Sequence, residues 1–213
     1  MRTTTRSVVL ALAIGLFTAT AHAQHAKFVL FGDPNEQASR APLEHRFVHP
    51  VSAPYFHEDS FVTTDVRAWF VYHDFPQPSA IAGGSAKIYA AQVRLALTDK
   101  LQLVANKDGY VDLDTGLTNA NGFNDIAAGL KWNFLQDWQK QLHLAVGAGY
   151  ELRTGNGDVL QNDDEWRIWL SANKGFDRLH LGAMVNFFWA GDKSNGLGNS
   201  DRMSWHLHAD YHV

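Results

Sequence analysis

Phe123-Asn-Asp-Ile-Ala-Ala-Gly-Leu-Lys-Trp-Asn-Phe134, Leu142-His-Leu-Ala-Val-Gly-Ala-Gly-Tyr-Glu-Leu-Arg153 and Trp166-Arg-Ile-Trp-Leu-Ser-Ala-Asn173 are three consecutive runs of one pattern. Ile126, Ala128, Leu130, Trp132 and Phe134 fall on one parity. Asp125, Ala127, Gly129, Lys131 and Asn133 fall on the other. The next two runs repeat the arrangement, with one face wholly apolar and the other mixing small, polar and charged residues. A period of two is the signature of β-strands. Strands of soluble sheets average about five or six residues. Runs of about ten, alternating apolar and polar and separated by turn residues, are what a transmembrane β-barrel requires. The apolar face then meets lipid and the polar face a lumen.

The pattern extends in both directions. Strands are predicted at 61–75, 86–98, 101–107, 123–134, 142–153, 165–174, 179–189 and 203–213. A loop rich in Gly, Asn and Asp is expected at 108–121, with others at 154–164 and 190–201. Long connections follow the first, third, fifth and seventh strands, and short ones the second, fourth and sixth. That alternation is the outer-membrane rule of short periplasmic turns and long outer loops. The expected fold is an all-β, transmembrane, antiparallel up-and-down barrel, with eight long strands visible. Eight strands can close as a small barrel, or form the first part of a wider one. Trp132, Phe134 and Trp138 are expected at the periplasmic interface, and Tyr72, Tyr150, Trp166, Trp189 and Trp205 near the outer one. Seven Trp, six Tyr and thirteen Phe supply the two aromatic girdles such a barrel needs.

The chain opens with basic Arg2 and Arg6, a short apolar run at 7–17, and Ala21-His-Ala23. This is a signal peptide, with cleavage expected after Ala23. Residues 24–60 carry Pro34, Pro42, Pro50 and Pro54 and no sustained period, so an irregular periplasmic segment is expected before the barrel domain at 61–213. Losing Arg2 and Arg6 with the leader takes the formal charge from −4 to −6, which is no nucleic-acid footprint. The chain has no cysteine, which excludes disulfides, thiolate metal sites and cysteine nucleophiles. His45, His49 and His57 match no zinc spacing and read as solvated or loop-packing residues. Nothing in the sequence calls for a cofactor. The expected partners are outer-membrane lipid and small solutes of unknown identity.

Several stretches carry a resemblance. They are His57-Glu-Asp-Ser60, Thr64-Asp-Val-Arg67, Gln92-Val-Arg-Leu-Ala-Leu-Thr-Asp-Lys100, Lys107-Asp-Gly-Tyr110, Asp125-Ile-Ala-Ala-Gly-Leu-Lys131, Gly149-Tyr-Glu-Leu-Arg-Thr-Gly155 and His206-Leu-His-Ala-Asp-Tyr211. Over roughly residues 50 to 213 the chain resembles a family of largely uncharacterised Gram-negative outer-membrane β-barrels, loosely related to porin-like transporters. The resemblance implies an outer-membrane barrel and no particular substrate. Members of that family usually continue further and end in an aromatic residue, so it also implies that this chain is truncated at its C-terminus.

The lumen-facing candidates are Asp65, Arg67, Gln92, Arg94, Asn106, Asp125, Lys131, Glu151, Arg153, Glu165, Arg167, His206, His208 and Asp210. Mixed charge along such a wall argues against strong ion selectivity. His206, His208, Asp210 and His212 share one face of the last strand with Ser204, and a hydrated wall is the first reading of that ladder. The neighbouring Ser204 and His206 also allow a lipid-modifying hydrolase, since a triad is recognised by geometry. Two registers are expected. The 98–100 turn should set Leu97 opposite Leu101 and Gln92 opposite Asn106. A hairpin centred on Val159 would set Arg153 opposite Glu165 and Glu151 opposite Arg167, avoiding like charges across the pair. The leading functional expectation is a passive pore or solute-uptake channel. A non-conducting structural barrel is the third alternative.

Overall fold

The structure is a computed structural model. It describes residues 45, 47, 56–159, 163–191 and 200–213, with the backbone alone at 106–108. The described residues form one antiparallel sheet of nine strands, curled into a half-barrel. The strands are β1 (Asp65–Phe75), β2 (Gly84–Ala96), β3 (Leu101–Thr115), β4 (Asn119–Phe123), β5 (Ile126–Asp137), β6 (Leu142–Leu152), β7 (Glu165–Phe176), β8 (Leu179–Ala190) and β9 (Arg202–Tyr211). Each long strand pairs with its sequence neighbour, and β4 adds to the far end of β3 above β5. β1 and β9 are the two edges.

The alternation predicted from sequence is realised, and the apolar parity is the convex one. Val66 and Leu207 are each 72% exposed, and Phe70, Leu130, Leu152, Leu170 and Trp205 project from the same surface. The opposite parity is buried and polar: Lys131, Asn133, His143, His180 and Asn186 are all 0% exposed. Aromatic rings gather toward both ends of the convex face. Trp132 and Phe134 lie 5.8 Å apart beside the short turns. Tyr150 and Trp166, at 4.7 Å, and Phe187 stacked on Trp189 lie toward the long connections.

The short turns fall close to expectation. Leu97 N donates to Leu101 O at 2.8 Å, and Gln92 pairs with Asn106. Gln141 and Asp177 supply positive φ, at 49° and 58°, in the turns before β6 and β8. Gln141 ties those two turns together: its side chain donates to Asp177 O and accepts from Asp177 N, both at 3.0 Å.

Three expectations need correction. The strand expected at 61–75 begins only at Asp65, and Phe61 and Val62 are buried inside the curve of the sheet. The loop expected at 108–121 is instead the upper half of β3 and the hairpin to β4. A bulge is the reason: opposite Ala91/Gln92 the pairing shifts by one residue. The faces therefore exchange, and Val111 and Leu113 point inward where the lower half of β3 put Gln102 and Val104. There they meet Ala86 and Val159, the latter from the 3₁₀ turn Gly157–Val159 folded over this end. The third correction is the β6–β7 register. Glu151 pairs with Glu165 and Gly149 with Arg167, two positions from the expected pairs. The faces are preserved, because a slip of two keeps the parity. Trp166 finds Tyr150 instead of Leu152. Glu165 is neutralised from β9, where Arg202 Nη2 donates to Glu165 Oε1 at 2.8 Å.

Candidate functional site

The concave face is a wall of polar side chains, and the chain itself occupies it. Residues 57–64, ahead of β1, pass through the curve of the sheet without joining its ladder. Phe56 lies toward the long connections, against Phe188 and Arg167. Phe61 lies toward the short turns, against Phe47, Trp138 and His143.

Because this segment forms no strand, its backbone polar groups must be satisfied by other means. Side chains of the wall satisfy them. Ser60 N donates to Asn173 Oδ1 at 2.9 Å, and Thr63 N to Gln102 Oε1 at 2.8 Å. Asn133 Nδ2 donates to Ser60 O at 2.5 Å and Lys131 Nζ to Asp59 O at 3.0 Å. Arg167 Nη2 donates to Phe56 O at 2.6 Å. These contacts explain why Gln102, Asn133 and Asn173 stand on a buried face. Each pairs an otherwise costly buried amide with an otherwise orphaned peptide group.

Charge is matched in the same way. Glu58 is fully buried. Arg94 holds it in a fork, with Nε 2.9 Å from Oε2 and Nη2 2.8 Å from Oε1. Lys131 Nζ stands 3.8 Å from Glu58 Oε2 and 3.6 Å from Asp59 Oδ1. Arg94 Nη1 also donates to Asp65 Oδ1 at 3.2 Å, and Arg67 reaches the same oxygen. His57 is packed 5.8 Å from the His206 ring and 6.4 Å from the His208 ring. Burial pushes its pKa down to about 4, so it is neutral near pH 7.

Arg167 is the second centre. Its guanidinium lies over the Trp169 ring at 4.5 Å and the Phe56 ring at 5.1 Å, and donates twice to Asn186 Oδ1. Its Nη1 is buried without a hydrogen-bond partner among the described residues. Small residues make room for these large ones. A Cβ on Gly147 would fall 2.1 Å from the Trp169 indole, so only glycine fits there.

Of the sequence-predicted wall residues, Asp65, Arg67, Gln92, Arg94, Lys131, Glu151, Glu165, Arg167, His206, His208 and Asp210 lie on the concave face. The side chain of Asn106 lies outside the described ones. Asp125 braces a loop instead: its carboxylate accepts from Thr154 N and Gly155 N at 2.7 Å and Asp163 N at 3.0 Å. Arg153 lies past the end of β6 and grips Asp164, so it is no wall residue. Asp210 joins His180 Nδ1 at 2.9 Å to His208 Nε2 at 3.1 Å. Ser204 Oγ is 3.2 Å from His206 Nε2, but the acid on that face is engaged by His180 and His208. Among the described residues no three His, Asp or Glu converge as a metal-binding set. His45 contacts Asp177 at 3.2 Å, and His49 lies outside the described residues.

Sequence reasoning missed Glu58, Gln102, Asn133, His143, Asn173, His180 and Asn186 as site residues. Six of them lie at the buried parity of their strands and were legible there. Glu58 was not, since no period marks an irregular segment. No protein-family model, curated protein or solved structure matches this chain.

Proposed function

We propose that the chain is an outer-membrane β-barrel protein acting as a passive pore or solute-uptake channel. Its concave face is the channel wall and residues 57–64 form an internal constriction. One observation carries this reading. The convex surface is an apolar belt with aromatic rings toward both ends, while the concave side buries Arg, Lys, His, Asn and Gln. In water this distribution is inverted; in lipid it is the favourable one. Buried groups without partners among the described residues, such as Gln102 Nε2, both His143 nitrogens and Trp169 Nε1, suit an interior that water enters. The leader at 1–23 supplies the export route.

Two physical consequences follow. Open edges are not tolerated in lipid, so β1 and β9 must pair with each other or with strands from elsewhere. Cysteine pairs scanned along β1 and β9 of this cysteine-free chain, starting from Ala68 and Leu207, would crosslink in one register if those edges meet. In this reading the inner segment also narrows the passage, and beside Arg167, Glu151, Glu165 and Phe56 lies a cavity of about 20 Å³, room for roughly one water. Planar bilayers containing the refolded chain should show small, resolvable conductance steps. A bilayer that takes up folded protein and stays silent would replace the pore with a structural barrel. The Ser204–His206 contact supports a hydrolase as the second reading. Acyl-chain hydrolysis abolished by His206→Ala would favour it over the pore.

A further inference from the structure

Glu58 behaves as a ligand that happens to be tethered. Its carboxylate is gripped by both prongs of the Arg94 guanidinium, with the Lys131 ammonium nearby, and all three side chains are buried. The fork geometry is that of carboxylate recognition. The residues holding it belong to β2 and β5, whereas Glu58 belongs to the segment that crosses the concave face without strand pairing. The charge balance points the same way. With the segment seated, Glu58, Asp59 and Asp65 stand against Arg67, Arg94 and Lys131. Of these anions only Asp65 belongs to a strand, so without the segment the patch around Arg94 keeps Arg67, Arg94 and Lys131 against the single carboxylate of Asp65.

Resting on the channel reading, we propose that Arg94 and Lys131 form a carboxylate-binding site on the channel wall. Glu58 is its built-in occupant, and carboxylate-bearing solutes compete with it. Binding of such a solute displaces Glu58 and loosens the hold on residues 57–64, which couples the arrival of an anion to widening of the passage. No bond is made or broken beyond these ion pairs and hydrogen bonds.

Replacing Glu58 with Ala deletes an acetate-sized fragment, so acetate itself is the probe. The full chain carrying Glu58→Ala, refolded in detergent, is melted in sodium acetate and in sodium chloride at equal ionic strength and pH. Acetate should raise the melting temperature of this variant saturably above its value in chloride. The wild type should not respond in that way, and the gain should vanish in Glu58→Ala with Arg94→Met. Equal melting in the two salts, or an unchanged gain in the double variant, overturns the site. Should Glu58→Ala refold in neither salt, the otherwise wild-type chain with Ser60→Cys decides. Ser60 is buried, and its labelling by a thiol reagent should accelerate in high acetate relative to chloride. Unchanged labelling overturns the proposal. Neither readout involves current, so a silent bilayer sinks the pore while leaving this site standing.

Discussion

The β2–β3 and β6–β7 hairpins lie in the same sheet and obey the same alternation, yet they settle their registers by different forces. The first closes through residues 97–100, where Thr98 Oγ1 accepts from both Lys100 N and Leu101 N. So tight a turn leaves the strands no freedom, and Gln92 necessarily meets Asn106. The second closes through 153–164, long enough to allow more than one register of the same parity. There the pairing sets two acids, Glu151 and Glu165, directly opposite each other. Local charge alone disfavours that. The Tyr150–Trp166 ring contact favours it, and Arg202, reaching over from β9, removes its electrostatic cost. Where a turn is short the connection decides; where a loop is long, partners remote in sequence decide.

The largest test sits on the tightly closed hairpin. Arg94→Met would strand Glu58 as a buried, uncompensated charge while Lys131 remains only a loose neighbour. Urea unfolding in detergent should show a loss of about 3–5 kcal/mol, typical of breaking a buried pair. A loss under about 1 kcal/mol would mean that the inner segment contributes little to the fold.

A smaller effect separates the two possible β6–β7 registers. Glu165→Arg should cost about 1–2 kcal/mol, since Arg202 is partly exposed and solvent screens the pair. The double reversal with Arg202→Glu should recover most of it. The reversal of Glu151 with Arg167 should recover less, because Arg167 stands opposite Gly149 here and not opposite Glu151. The opposite pattern of rescue would restore the register centred on Val159.

A third test is a titration. Free His57 takes up a proton near pH 6.5, whereas the seated residue does so only near 4. Its folded pKa is the lower one, so between these values the released segment binds more protons. Seating is therefore strongest above about pH 6.5 and weakens as the pH falls toward 4. Thiol labelling of Ser60→Cys, taken at each pH relative to the rate of a free thiol with the same reagent, should quicken across that window, and His57→Gln should flatten the response. Equal slopes in both proteins would remove His57 from the balance.

The same physics explains what could be read ahead. Leu130, Leu170 and Leu207 announced the convex face because a strand exposes alternate residues to opposite sides, whatever it later packs against. Lys131, Arg94 and Arg167 followed from the same parity. The upper half of β3 was lost because its bulge exchanges the faces in mid-strand, leaving Asp108, Gly109, Asp112 and Asp114 to look like loop. Arg153 was misassigned because parity says which way a residue points only while the strand lasts, and β6 ends at Leu152.

By itself the sequence determined the long alternating strands outside the bulged half of β3, their polarity and the register across the 97–100 turn, because those depend on neighbours a few residues apart. Only the tertiary structure decided the pairing of β6 with β7, the partner of Glu165, and the passage of residues 57–64 along the concave wall. These rest on contacts between residues far apart in the chain: Glu58 with Arg94, Ser60 with Asn173, Glu165 with Arg202. An ion pair carries no periodicity, so its partner becomes known only when the sheet has curled far enough to bring the two charges together.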